Sequence, residues 1–148
     1  MSTARPIVLL LHGPNLNLLG DREPHIYGTA TLQDHVDRVR KLCDEAGFDV
    51  EAVQSNAEHD LVDAVQAARK RVAAIIVNAG ALTHYGWSLH DALSAYEGVV
   101  VEVHLSNPNA REPWRHTSVV APVANGTIMG FGGDSYDLAV EAVRRLIG

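Results

Sequence analysis

A chain of 148 residues with 47% hydrophobic side chains can bury a core of ordinary size, and a single domain spanning 1–148 is expected. A formal net charge of −6 excludes general affinity for nucleic acid or an anionic membrane surface. The lone cysteine, Cys43, excludes an internal disulfide and makes a reducing cytoplasm the expected compartment.

The first element is the apolar run PIVLLLH, a strand over 6–12 that is too short for a membrane span or a secretory leader. It ends in HGPN, which delivers Asn15 to the strand terminus. REPHIYG follows at 22–28 and matches neither helix nor strand; it is a polar loop bracketed by Gly20 and Gly28, holding Arg22 and Tyr27 where neither can join a core. TLQDHVDRVRKLCDEAG then carries Leu32, Val36, Val39 and Leu42 at helical spacing, with Thr31 as N-cap and Gly47 as its stop. On this helix His35 reads as a surface residue and Cys43 as an inert one.

The alternation continues with the strand FDVEAVQSN, the helix EHDLVDAVQAARKR over 58–71 and the strand VAAIIVNAG, which ends in Asn78. SLHDALSAY is helical, VVVEVHLSN is a strand ending in His104, Ser106 and Asn107, TIMGFGG is the last strand and DSYDLAVEAVRRLI the last helix. Strand followed by helix throughout predicts an α/β fold, a flavodoxin-like doubly wound five-stranded parallel sheet with helices on both faces. Ligands of such sheets bind outside the carboxyl ends of the strands. Asn15, Asn78, His104 and Ser106 all fall there.

Composition at those ends narrows the chemistry. GPNLNLLGD offers no Ser or Thr for a flavin phosphate, and Asn15 and Asn78 stand where a phosphoacceptor domain needs carboxylates. GFGGDS has the wrong glycine spacing for a nucleotide fingerprint. No H-E-x-x-H or comparable pair suggests a metal, and both lysines, Lys41 and Lys70, lie in charged helix stretches, away from imine chemistry. Acid–base chemistry without a cofactor is expected. Glu102 shares a strand face with His104 and can bias its protonation. Arg22, Arg111 and Arg115 are read as the only cations in connecting segments, apart from the terminal Arg5, and hint at a small anionic ligand. Poising a phenol to ionise near pH 8 instead of about 10 takes about 2.7 kcal/mol. One guanidinium about 4 Å away contributes roughly 1–4 kcal/mol, so a tyrosinate base at Tyr27 needs one or two arginines.

LHGPNLNLLGDREPHIYG, QSNAEHDLVD, VNAGALTHYGWSLHDAL, EVHLSNPNAREPWRHTS and GFGGDSYDLAV resemble, in order and spacing, the type II 3-dehydroquinate dehydratases. The resemblance implies removal of water from 3-dehydroquinate to give 3-dehydroshikimate, in the shikimate pathway or in quinate catabolism, without metal or other cofactor. It implies Tyr27 as the base, Arg22 keeping it anionic, Asn15 stabilising an enolate through a water, and His104 as the acid, assisted by Glu102. By the same resemblance Asn78 positions the departing hydroxyl, Ser106 and the Leu105 backbone hold the carboxylate, and His84, Asp91 and Arg115 hold ring hydroxyls, while Arg111 supports the loop. It also implies a homo-oligomer, a dodecamer of four trimers.

The chain departs from the family's usual THTSxALRDA at Tyr85, Gly86, Trp87 and His90, and Thr117 follows His116 where a second histidine is common. The departures touch substrate contacts and subunit packing and leave Tyr27, Arg22 and His104 intact. Two alternatives stand beside the dehydratase: a homologue acting on a related cyclic polyol acid, and a non-catalytic sensor of a small acid.

Overall fold

Alternation along each strand decides which helices its side chains meet. In the computed structural model, which describes residues 4–147, the first strand β1 is Ile7–His12. Its Val8 and Leu10 face one layer while Leu9 and Leu11 face the other. A single helical turn, α1 (Pro24–Tyr27), and the long α2 (Leu32–Ala46) precede β2 (Asp49–Gln54), and α3 (Glu58–Ala68) leads into β3 (Ala74–Asn78). Next come α4 (Trp87–Ala95), β4 (Val99–His104), β5 (Gly126–Met129) and α5 (Asp134–Ile147). The five strands form one parallel sheet in the order β2-β1-β3-β4-β5, as the strand and helix alternation predicts.

The core is divided into two layers by this sheet. On one face Val8, Leu10, Ile76, Val101 and Val103 pack against Val36, Val39 and Cys43 of α2 and Tyr136, Ala139 and Val143 of α5. On the other, Leu9, Leu11, Ile75, Val77 and Val100 pack against Leu61 and Val65 of α3 and Leu89 and Leu93 of α4. Each large aliphatic side chain buried this way contributes about 1.5–3 kcal/mol, which keeps the central strands from slipping register. β2 and β5 lie at the edges and are far more exposed. Among the described residues no helix is long and apolar enough to cross a membrane.

Local chemistry sets the helix ends. Thr31 Oγ1 accepts from the Asp34 amide at 3.1 Å while Asp34 accepts from the Thr31 amide at 2.9 Å, a reciprocal cap that starts α2. Gly47, at φ 88°, ends it.

Three expectations are corrected. REPHIYG is not without regular structure, because Pro24 opens a four-residue helical turn with a φ suited to that position. α3 stops at Ala68, and Lys70 sits in the left-handed region at φ 62°, so Arg69, Lys70 and Arg71 are connecting-segment cations too. His35 is buried rather than on the surface, at 7% exposure. Its acidic neighbours disguised it, but it lies four residues before Val39 and eight before Cys43, on the core face of α2.

Candidate active site

The sheet order places β1 between β2 and β3, so the chain reverses direction across the sheet there and opens a crevice beyond the carboxyl ends of β1 and β3. Two loops form its floor and touch through their backbones. The Gly13 amide donates to the Asn78 carbonyl at 2.9 Å. A Cβ on Gly13 would lie 2.1 Å from the Ala79 carbonyl oxygen, and one on Gly80 2.9 Å from that of Pro14. Only glycine permits this approach. Asn15, in the left-handed conformation at φ 68°, and Asn78 both line the cavity above.

α1 forms the roof of the cavity. Its Tyr27 reaches over the crevice, and its phenolic oxygen accepts from Arg111 Nη1 at 2.8 Å. The Arg22 guanidinium lies 5.0 Å from the Tyr27 ring centre and that of Arg111 5.2 Å, so two cations flank one phenol. Arg111 thus does more than support the loop; it makes the direct contact, and Arg22 stands over the ring. The same Arg111 nitrogen donates to Ser106 Oγ at 3.3 Å, tying the roof to the end of β4.

At the end of β4, His104 Nε2 donates to Glu102 Oε2 at 2.6 Å, with both side chains nearly inaccessible. Ser118 donates to the same carboxylate oxygen at 2.8 Å and Thr127 to the other at 3.1 Å. Burial pushes the Glu102 carboxyl up, but hydrogen bonds from His104, Ser118 and Thr127 outweigh it and hold the group below the usual carboxylate range. An ionised Glu102 that accepts three hydrogen bonds fixes the His104 proton on Nε2. Nδ1 is then the nitrogen available to the cavity, which His104 lines.

His84 donates from Nδ1 to the Thr117 carbonyl at 2.7 Å, and its ring meets Trp114 edge-on at 5.3 Å. Burial lowers its pKa, against the raising effect of the Thr117 carbonyl, so a neutral ring presents Nε2. Arg115 lies over Trp114 at 4.0 Å and donates to Glu112 at 3.1 Å. His84, Leu105, Ser106, Arg111 and Arg115 all line the same cavity as Tyr27 and His104. Asp91 does not. It is exposed on α4, in a depression shared with Ser88, Gln66 and Arg69, and one chain does not bring it to the crevice. Of the unusual residues before it, His90 donates from Nδ1 to the Val119 carbonyl at 2.6 Å, while Tyr85 and Trp87 are 58% and 63% exposed.

Ser118 and Thr127 were missed by sequence reasoning. Thr127 stands directly beside Glu102 in the β4 and β5 register, a signal readable only once the strands are aligned. Ser118 comes from an irregular loop with no periodicity to reveal it. Among the described residues no cluster of His, Cys, Asp or Glu has the geometry to hold a metal ion.

A family model described as Dehydroquinase class II matches residues 6–144. The 3-dehydroquinate dehydratase of Dictyoglomus turgidum is 54% identical over 136 residues, covering 92% of this chain and 94% of the relative. The 3-dehydroquinate dehydratase 1 of Corynebacterium efficiens is 53% identical over 134 residues, covering 90% and 89%. Among solved structures, the type II dehydroquinase of Butyrivibrio crossotus has a TM-score of 0.91 at 39% identity, covering 94% of this chain and 97% of that one. That of Propionibacterium acnes has a TM-score of 0.90 at 40% identity, covering 97% and 99%.

Proposed function

The chain belongs to the class II dehydroquinase family, and from that premise we propose that it is a hydro-lyase that dehydrates 3-dehydroquinate to 3-dehydroshikimate. The observation that carries the reading is a phenol flanked by two guanidiniums, lining the same cavity as a carboxylate-paired histidine. Binding alone has no need of a proton acceptor and a proton donor in one cavity, which argues against the sensor.

In the proposed reaction Tyr27, as the phenolate, removes a proton from the carbon beside the ketone. The electron pair of the broken C–H bond moves toward the ketone oxygen to form an enolate, which Asn15 stabilises through a water. Collapse of the enolate expels the tertiary hydroxyl on the opposite face of the ring, and His104 supplies the proton with which it leaves as water. Arg111 and Arg22 favour the phenolate by charge, an interaction that strengthens as the roof excludes water. Glu102 balances the charge of the imidazolium that precedes proton delivery. Asn78 positions the departing hydroxyl, Ser106 and the Leu105 backbone hold the carboxylate, and His84 and Arg115 take ring hydroxyls.

The position of Asp91 favours an assembly in which a neighbouring chain supplies it. Exposed Tyr85 and Trp87 on the same segment are costly to leave in water, so we read this face as a subunit contact, in a dodecamer of four trimers. The setting proposed is the cytoplasm.

The test is the ultraviolet absorbance of the conjugated enone formed from 3-dehydroquinate, without added metal. Steady formation is expected. Absence of product, with turnover of a related cyclic polyol acid instead, would show that the altered 84–91 segment has shifted the substrate.

A further inference from the structure

The mechanism uses Asn78 but not what stands behind it. His12 and Asn78 end β1 and β3 side by side in register, and both continue the strand positions that face α5. There Tyr136 is fully buried, with His12 at 1% and Asn78 at 4% exposure. The Tyr136 hydroxyl is 2.7 Å from His12 Nε2 and 3.3 Å from Asn78 Nδ2. A phenylalanine would fill the same space in this apolar layer without bringing in a hydroxyl that needs partners.

The direction of each bond follows from chemistry. The Gly80 amide, which can only donate, lies 3.4 Å from Asn78 Oδ1, so that edge of the carboxamide is the carbonyl. Nδ2 therefore faces Tyr136 and donates to its oxygen. Tyr136 has one proton, and His12 Nε2 is the acceptor left for it. Burial, followed by the charge of nearby His35, lowers the His12 pKa to about 3, so the ring is neutral with its proton on Nδ1. Nδ1 is buried and has no partner among the described residues.

We propose that Tyr136 and His12 are positioning residues, which pin the Asn78 carboxamide so that its second N–H is presented to the cavity as a donor to the departing hydroxyl. Without the Tyr136 hydroxyl the long Gly80 contact is the one side-chain hydrogen bond left to orient the amide among the described residues, and a flipped Asn78 would turn its carbonyl to Tyr136 and its nitrogen against the Gly80 N–H. The catalytic part of this inference rests on the dehydratase reading; the pinning itself does not.

The test compares the full-length wild type with Tyr136→Phe, His12→Leu and His12→Gln. Steady-state kinetics on 3-dehydroquinate are read beside solid-state 15N spectra of the histidine rings and of the Asn78 amide. Tyr136→Phe and His12→Leu are expected to lower kcat about tenfold to a hundredfold with KM within about threefold, the signature of a misplaced group rather than lost binding. His12→Gln, whose amide oxygen restores an acceptor, should recover about fivefold or more over His12→Leu, and this pair decides the matter if Tyr136→Phe does not fold. In the wild type His12 should carry its proton on Nδ1. A proton on His12 Nε2, an unchanged kcat in both Tyr136→Phe and His12→Leu, or equal kcat in the two His12 variants overturns the proposal. The spectra need no substrate, so a wild type that leaves 3-dehydroquinate untouched sinks the dehydratase reading while the pinning is still decided.

Discussion

The proposed mechanism concentrates the chemistry in the phenolic oxygen of Tyr27, and Tyr27→Phe removes that atom while leaving a ring of nearly the same size. Turnover should fall by at least about 10²–10⁴-fold, the usual contribution of a general base, with the affinity for a substrate-like acid changed by less than about tenfold. A variant that keeps a tenth of its activity would take Tyr27 out of the mechanism. Ser118 acts at one remove. Ser118→Ala deletes one of three hydrogen bonds that hold Glu102 ionised, so the carboxyl should titrate higher. The acidic limb of the pH–rate profile is then expected to move to higher pH, with kcat lowered about tenfold. An unmoved limb would make Ser118 a loop anchor only. The residues legible in the sequence, Asn15, Tyr27, Asn78 and His104, end strands or occupy a polar loop. The supports of Glu102 were hidden because a contact between positions 16 or 25 residues apart leaves no local pattern.

At the level of elements, α1 is the part of the site held by the fewest packing partners. It is a single turn with no fully buried residue, set between Gly20 at φ 99° and Gly28 at φ 84°. Its N-cap, Glu23, is held in the left-handed region at φ 39°, where a side chain carries strain. Opening this roof exposes the bond after Arg22, which trypsin can cut because Glu23 follows. A substrate-like acid is expected to slow that cleavage several-fold by holding the roof shut. Equal cleavage with and without the acid would argue against closure. The helical turn itself escaped the sequence because four residues cannot display a period of 3.6, and the end of α3 escaped because Arg69 to Arg71 are good helix formers that the fold instead uses to turn toward β3.

For the whole molecule the order of strands and helices was readable, since period-two and period-3.6 patterns alternate along the chain and a parallel sheet follows from their sequence. How chains assemble is a property of surfaces, and a single sequence records it only indirectly. Sedimentation should show a trimer or the dodecamer; an active monodisperse monomer near 16.0 kDa would leave Asp91 outside the site altogether. Acid should weaken the fold for a specific reason. His12 resists protonation in the folded chain but accepts a proton near pH 6.5 once unfolded, so its effect on stability is absent above that pH and grows unfavourable as pH falls from 6.5 toward 3. From pH 7.5 to 5 this one residue should cost about 2 kcal/mol, with His35 adding in the same direction and Glu102 only at lower pH. Urea midpoints at the two pH values measure the loss, and His12→Gln should flatten it; an equal slope in that variant would point to other groups. The backbone contact between Gly13 and Ala79 locks the floor of the crevice, whereas the roof is a single turn between two glycines at positive φ, and this asymmetry bears on residence time. An inhibitor that touches only the floor meets a preformed surface and should exchange quickly. One that also engages Tyr27 and Arg22 can leave no faster than the roof lifts, so additions on that side should lengthen occupancy mainly through the dissociation rate.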